Sequence, residues 1–354
     1  PTNGSSSQTP CTEGNYQPLT GQVSCIAASP GYFVGIEGAT SETPCLPGFW
    51  GNQAGLSECI EASPGTYTDQ NASTTQIPCP AGTYNPQTSG NSSSSCLDTA
   101  PGTYSSVLGA SFQTPCSPGS YQPSTGQLSC IDVDPGFYGD SFGLTYQIEC
   151  QPGEYQPLQG QVNCLDADPG YYVDSAMATS QIPCPVGTYN PSSASFDESS
   201  CLESDVGHFV SSPASPNQSP CIAGTFQNQT GQTSCVGADP GYHVPLGASP
   251  SQTPCSPGQY QPSPGQPLCL SSDPGYFTSE GSSLSQETCQ PGTYQPSSGQ
   301  TSCLDTDPGY FAPDLGQSEQ IPAPLDQYVP SAKSSSTEPC PDKTITLSSA
   351  STSV

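Results

Sequence analysis

Large apolar residues are sparse along this chain, and they return at fixed places. One series is aromatic: Tyr16, Trp50, Tyr84, Tyr121, Tyr155, Tyr189, Phe226, Tyr260 and Tyr294. A second series is Phe33, Tyr67, Tyr104, Tyr138, Tyr172, Phe209, His243, Phe277 and Phe311. A glycine stands two residues before each member, usually as Pro-Gly. Between the two series comes one aliphatic per repeat: Ile26, Ile60, Leu97, Ile131, Leu165, Leu202, Val236, Leu270 and Leu304. The ground between is Ser, Thr, Gln, Asn, Gly and Pro. Pro-Gly fills the centre of a type II turn, where glycine supplies the positive φ. The pattern therefore predicts short strands joined as hairpins. Pro and Gly every few residues rule out long helices.

The cysteines carry the same period. Short and long steps alternate, as in Cys11, Cys25, Cys45, Cys59 and Cys79, and two of the short steps widen, at Cys79–Cys96 and Cys184–Cys201. A period of about 34 residues marks an array of small stacked units. The cleanest copy is CQPGTYQPSSGQTSC at 289–303, followed by LDTDPGYF. Half A runs from the first cysteine to the second. Half B follows and reads as a half A that has lost its first cysteine: compare CSPGSY at Cys116 with VDPGFY at Val133. Residues 1–10 are the end of a truncated repeat. Repeats 1–3 fill 11–115, repeats 4–6 fill 116–220, and repeats 7–9 fill 221–322. Residues 323–340 form a degenerate half-repeat, and 341–354 a tail. The tail's Thr344–Leu347 stretch alternates and is a candidate inter-subunit edge strand.

Composition explains the cysteines. Charged residues are 9% and hydrophobic ones 31% of 354, with 37 Gly and 42 Pro. Such a chain cannot bury one large core and needs covalent staples. Nineteen cysteines at fixed spacing, with no Cys-x-x-Cys and two histidines, point to disulfides and an oxidising compartment rather than zinc. Pairing within half A gives Cys11–Cys25, Cys45–Cys59, Cys79–Cys96, Cys116–Cys130, Cys150–Cys164, Cys184–Cys201, Cys221–Cys235, Cys255–Cys269 and Cys289–Cys303. Only Cys340 is left unpaired, as the closing cysteine of a half A opening at Ala323. The other phase, Cys25–Cys45 onward, strands Cys11, Cys303 and Cys340. Each repeat is then expected to hold a small core of one disulfide, two aromatics and one aliphatic.

The net charge of −28, with Lys333 and Lys343 the only cations, argues against nucleic acid and anionic membranes. No apolar run is long enough to span a membrane. The absence of an initiator Met fits a processed or partial chain from a secreted precursor. No catalytic site assembles: His243 takes an aromatic place, His208 adjoins one, and disulfide sulfurs are not nucleophiles. Asp132/Asp134, Asp166/Asp168 and Asp305/Asp307 form Asp-x-Asp-Pro-Gly. They are weak calcium candidates, and a hydrogen bond to the turn is the favoured reading. Asn3, Asn71, Asn91, Asn217 and Asn228 head N-glycosylation sequons, so covalent glycans are expected.

Half A, as in CSPGSYQPSTGQLSC at 116–130, resembles the ephrin-receptor-like and TNF-receptor-like cysteine-rich repeat. The resemblance covers about residues 11–340. Similar arrays occur in microbial surface proteins and in mastigoneme-type filament proteins. The resemblance implies small disulfide-tied hairpin modules in an elongated, solenoid-like extracellular rod with little or no helix. The expected function is a structural subunit of an extracellular filament or cell-surface appendage, assembling end to end with copies of itself. The alternative is an adhesin stalk or receptor-like ectodomain that binds a ligand or cell surface.

Overall fold

The computed structural model describes residues 8–341 and 344–353. Every half, A or B, folds as one antiparallel hairpin of two-residue strands. In the first half A, Asn15–Tyr16 pairs with Ile26–Ala27, and Tyr16 faces Ile26. In the first half B, Tyr32–Phe33 pairs with Thr43–Pro44, and Phe33 faces Thr43. The register is the same. The structural unit is therefore a coil half as long as the sequence repeat, running 11–27, then 28–44, then 45–61. Each coil is named here by its opening residue: 11, 28, 45, 62, 79, 99 and so on to 340. A disulfide closes every second coil up to the coil at 289. Helix among the described residues is confined to single 3-10 turns at Ser93–Ser95 and Glu198–Ser200. These turns take up the extra length of the wide coils at 79 and 184.

The chain divides into two compact units, Pro1–Asp166 with Val173–Gln181, and Ala167–Tyr172 with Ile182–Val354. Both are stacked by one rule, carried by the glycine turn. Gly48, in the first unit, has φ +94. Its N–H donates to the Thr68 carbonyl of the next coil at 2.9 Å. Its own carbonyl accepts from Ala62, the opening residue of that coil, at 2.9 Å. Gly224 in the second unit does the same with Val244 and Ala238, at 2.8 and 2.9 Å. A third bond comes from the loop tip: Ala72 N–H donates to the carbonyl of Cys45, one coil back, at 2.8 Å. The stack is held by backbone groups that must pair once they leave water.

This glycine also admits a second neighbour. A Cβ built on Gly65 would lie 2.0 Å from the Gly109 carbonyl oxygen, two coils on, and one on Gly258 would lie 2.3 Å from that of Gly299. The loop tip beyond each such glycine also has positive φ. There a side chain fits, and Ala72, Ser89, Met177, Ala194, Ala214, Ala248, Ser282, Lys333 and Ala350 adopt it. Non-glycine residues give up about 1–2 kcal/mol in this conformation, offset by the tip's bond to the coil behind.

The core is a thin line with two places per coil. The first is the opening residue: Cys45, Ala62, Cys79, Thr99, Cys116 and Val133 are all 0–1% exposed. The second follows the turn's aromatic, as at Val34, Thr68, Gln122 and Gln156, or Val210 and Val244 in the second unit. The aromatics beside the disulfides are half-buried. The aliphatics expected in the core are not there. Ile26, Ile60, Leu97, Ile131, Leu165, Leu202, Val236, Leu270 and Leu304 are 42–53% exposed. Each lies in a strand directly across from an aromatic, and the interior is too narrow for side chains from that strand as well.

In five of the half A coils, a buried glutamine replaces packing. Gln122 donates through Nε2 to the Ser129 carbonyl at 2.9 Å, and its Oε1 accepts from Ser124 N–H at 3.1 Å. Gln156, Gln227, Gln261 and Gln295 repeat the brace. In the wide coils the loop is too broad for it. Asn85 and Asn190 stand there and donate back to the previous coil, at the Thr66 and Tyr171 carbonyls, 3.0 and 2.9 Å away.

The end of the second unit departs from the sequence expectation. Residues 323–340 form a half B, not a half A. Gln327–Tyr328 pairs with Glu338–Pro339 in the common coil register, with no cysteine inside the coil to close it. Cys340 N–H donates to the Asp326 carbonyl at 3.1 Å, as Cys45 donates to Gly31. Cys340 thus opens the next coil rather than closing one, and it is free. The place that would close it, as Cys303 closes Cys289, is Val354, outside the described residues. The tail does not form a free edge strand either. Thr346 is buried, its Oγ1 accepts from Asp326 N–H at 2.9 Å, and Ala350 N–H donates to the Ala323 carbonyl at 3.0 Å. These groups of the tail are committed to the coil before it.

Candidate functional site

The chemistry expected from the sequence is dispersed along the coils. The nine disulfides among the described residues all lie within half A, with Cα separations of 5.5–5.8 Å, inside the ordinary disulfide range. The first cysteine of each pair is buried and the second is half-buried, or exposed at Cys25. Nine staples in one chain fit an oxidising compartment. No helix of the described residues is long and apolar enough to cross a membrane.

The two histidines do not meet. His208 Nδ1 lies 3.2 Å from the Val206 carbonyl, two residues back. His243 Nδ1 lies 3.1 Å from Cys269 Sγ. With Cys255, these groups are the one cluster of three metal-capable side chains among the described residues. Both cysteines are tied to each other in a disulfide, so neither offers a thiolate.

Among the Asp-x-Asp-Pro-Gly carboxylates, those of Asp134, Asp305 and Asp307 bind protein groups. Asp134 N–H donates to Gln147 Oε1 at 2.8 Å, and Gln147 Nε2 donates back to Asp134 Oδ2 at 3.1 Å. Asp307 and Gln320 form the same clamp at 2.7 and 2.8 Å, as do Asp205–Gln218, Asp239–Gln252 and Asp273–Gln286. The expected bond from the Asp side chain to the turn backbone is not the one made: the carboxylate holds the glutamine across the hairpin, and the turn bond comes from Phe137 N–H to the Asp134 carbonyl at 3.1 Å. Asp132 packs beside Gly160. Asp305 pairs with Lys333 at 3.4 Å. Asp166 faces Glu154 across a strand pair, and the Asp168 carbonyl accepts from Tyr171 N–H at 3.0 Å. Asp134→Ala should lower stability by about 1 kcal/mol or less, since the clamp is exposed. Adding calcium or a chelator should leave the melting curve unmoved. A chelator-sensitive melt would mean these carboxylates hold an ion.

Among the sequons, Asn71, Asn91, Asn217 and Asn228 are all exposed. Asn3 lies outside the described residues. Asn91 borders an open depression of about 440 Å³ on the wide coil at 79, lined also by Asn85, Ser94, Ser95 and Leu97. The second wide coil has a matching one of about 350 Å³, lined by Asn190, Ser195, Phe196 and Leu202. The Asn85 and Asn190 amides in these depressions are already bonded to backbone carbonyls.

Two details are not legible in the sequence. Trp50, the lone tryptophan, buries its indole N–H without an acceptor among the described residues. Tyr328 donates its hydroxyl to Glu338 Oε2 at 2.8 Å. That bond, and then the Glu338 charge, hold the phenol above its usual value near 10.

No known family model and no curated protein matches the chain.

Proposed function

We propose that the chain is a structural subunit of an extracellular filament or surface appendage: disulfide-stapled, glycan-bearing building material without an active site. One observation carries the reading. The coils are joined by backbone bonds repeated at the same places in both units, and the stack is insensitive to most side chains. Such an arrangement suits mechanical continuity better than recognition. Copies of the chain are the partners, and glycans at Asn71, Asn91, Asn217 and Asn228 would coat its sides.

At the coil opening at Ala323, Asp326 with φ 67 takes the glycine place. A side chain there fills the space that receives, in earlier coils, the carbonyl from two coils on.

Electron microscopy of native material tests the proposal. Filaments with a regular axial repeat are the expected result. Single molecules tethered to a cell surface would replace it with the stalk or receptor-like reading. Peptide mapping before and after enzymatic deglycosylation should show mass shifts on peptides containing the four exposed sequon asparagines. Unshifted peptides at all four would remove the glycan coat.

A further inference from the structure

Three of the four most exposed aromatics among the described residues are gathered in two loops of the first unit. Phe112 is 71% exposed, Phe142 71% and Tyr146 65%. Phe112 belongs to the half B coil at 99, and Phe142 and Tyr146 to the half B coil at 133. These coils touch. A Cβ on Gly102 would lie 2.1 Å from the Gly143 carbonyl oxygen, and one on Gly143 would lie 3.9 Å from Pro115 Cβ. Gly143 follows Phe142 directly, and Pro115 is three residues past Phe112. Val107 and Leu108, on the same loop as Phe112, are 59% and 69% exposed.

The repeat does not call for aromatics there. Phe112 and Tyr146 stand at the same place in their two coils. The other half B coils carry Ser41, Thr75, Ser180, Asn217, Ser251, Ser285, Glu319 and Ser336 at that place. Stacking works with a hydroxyl, so these rings are not needed by their own coils. Exposed apolar patches of this kind mark interaction surfaces.

We propose that this patch is a self-association surface, and that its occupant is the same patch on a second copy of the chain. Area supports a second copy. Aromatic side chains carry about 150–250 Å² each, so the five exposed side chains offer roughly 600 Å² per copy. Two copies facing each other would bury about 1,200 Å², the lower bound of specific interfaces. Charge supports it too. The chain carries −28, yet no charged residue lies between Asp98 and Asp132, and Asp140 is the one carboxylate in the coil 133 loop. The patch loops carry a single carboxylate, so two acidic copies can approach there with little repulsion, and they offer little to a cationic partner. A two-fold arrangement lays each coil 99 loop against the partner's coil 133 loop. The inference is independent of the filament proposal.

Sedimentation velocity of the full, oxidised, glycosylated chain over a wide concentration range is the test. A dimer is expected, tighter at higher salt as repulsion is screened. In the triple variant Phe112→Ser, Phe142→Ser, Tyr146→Ser, serine at 112 and 146 is what sister coils already carry, and the change at 142 removes the third ring. It should weaken the dimer by about tenfold or more while leaving backbone amide exchange unchanged. Phe196→Ser, the fourth exposed aromatic, should leave the dimer as it was. A monomer at every concentration, or a triple variant that associates like the parent, overturns the proposal. Binding of a monomeric parent to neutral phosphatidylcholine vesicles, lost in the triple variant, would assign the patch to lipid instead. A dimer without filaments would sink the filament reading alone.

Discussion

Gly258→Ala is expected to open the coil at 255, whereas Gly265→Ala in the same coil should be tolerated. Both glycines have positive φ, +88 and +70. Alanine at either meets the left-handed penalty of about 1–2 kcal/mol. The difference is space. The new methyl at 258 would sit 2.3 Å from the Gly299 carbonyl oxygen, while nothing lies within 4 Å of one at 265. Relief at 258 requires the backbone two coils away to move, which breaks the bonds Gly258 makes to Thr278 and Ser272 at 2.9 Å each. The expected loss is about 3–4 kcal/mol. Hydrogen exchange resolves it by coil: amides from 255 to 306 should lose protection in the first variant only. Equal protection loss in the two variants would mean that the close approach does not carry the stack.

Reduction is the second large effect. Each short loop closed by a disulfide limits the unfolded chain by about 3 kcal/mol in the loop-entropy account. The core they reinforce is two places per coil, one of them a cysteine in half A. Serine at both Cys150 and Cys164 should therefore loosen the coil at 150 and its immediate neighbours, with more distant coils keeping their amide protection. Reducing all nine should unfold both units, measured as loss of amide protection and a collapse of the circular-dichroism signal. A fully reduced chain that keeps its protection would show that backbone stacking suffices alone.

Much of this is legible in the sequence. The period, the hairpins and the glycine turns follow from residues whose φ or covalent chemistry leaves few choices, such as Gly48 and the Cys45–Cys59 pair. The true unit is harder to see. The match of CSPGSY at Cys116 with VDPGFY at Val133 equates the two halves, but the bounds of the half-length coil stay hidden because the opening place in half B is held by Ala28, Thr99, Val133 or Ser204, small residues with no motif in common except size. Counting from each cysteine to those small residues finds it. The same count places Cys340 correctly, since 340 continues the series 289, 306, 323. The exposed aliphatics mislead for a different reason. Ile131 looks like core by its chemistry, but the inter-coil bonds that narrow the interior are made by backbone, which sequence does not display. The glutamine clamps are equally silent: Gln147 reaches Asp134 only because two separated strands close into one hairpin.

Two half B coils in succession, at 306 and 323, interrupt the alternation without interrupting the backbone bonding. Length is therefore adjustable one step at a time, with or without a staple in the added step. A chain built this way could gain or lose a single coil while the bonds between the remaining coils keep their places.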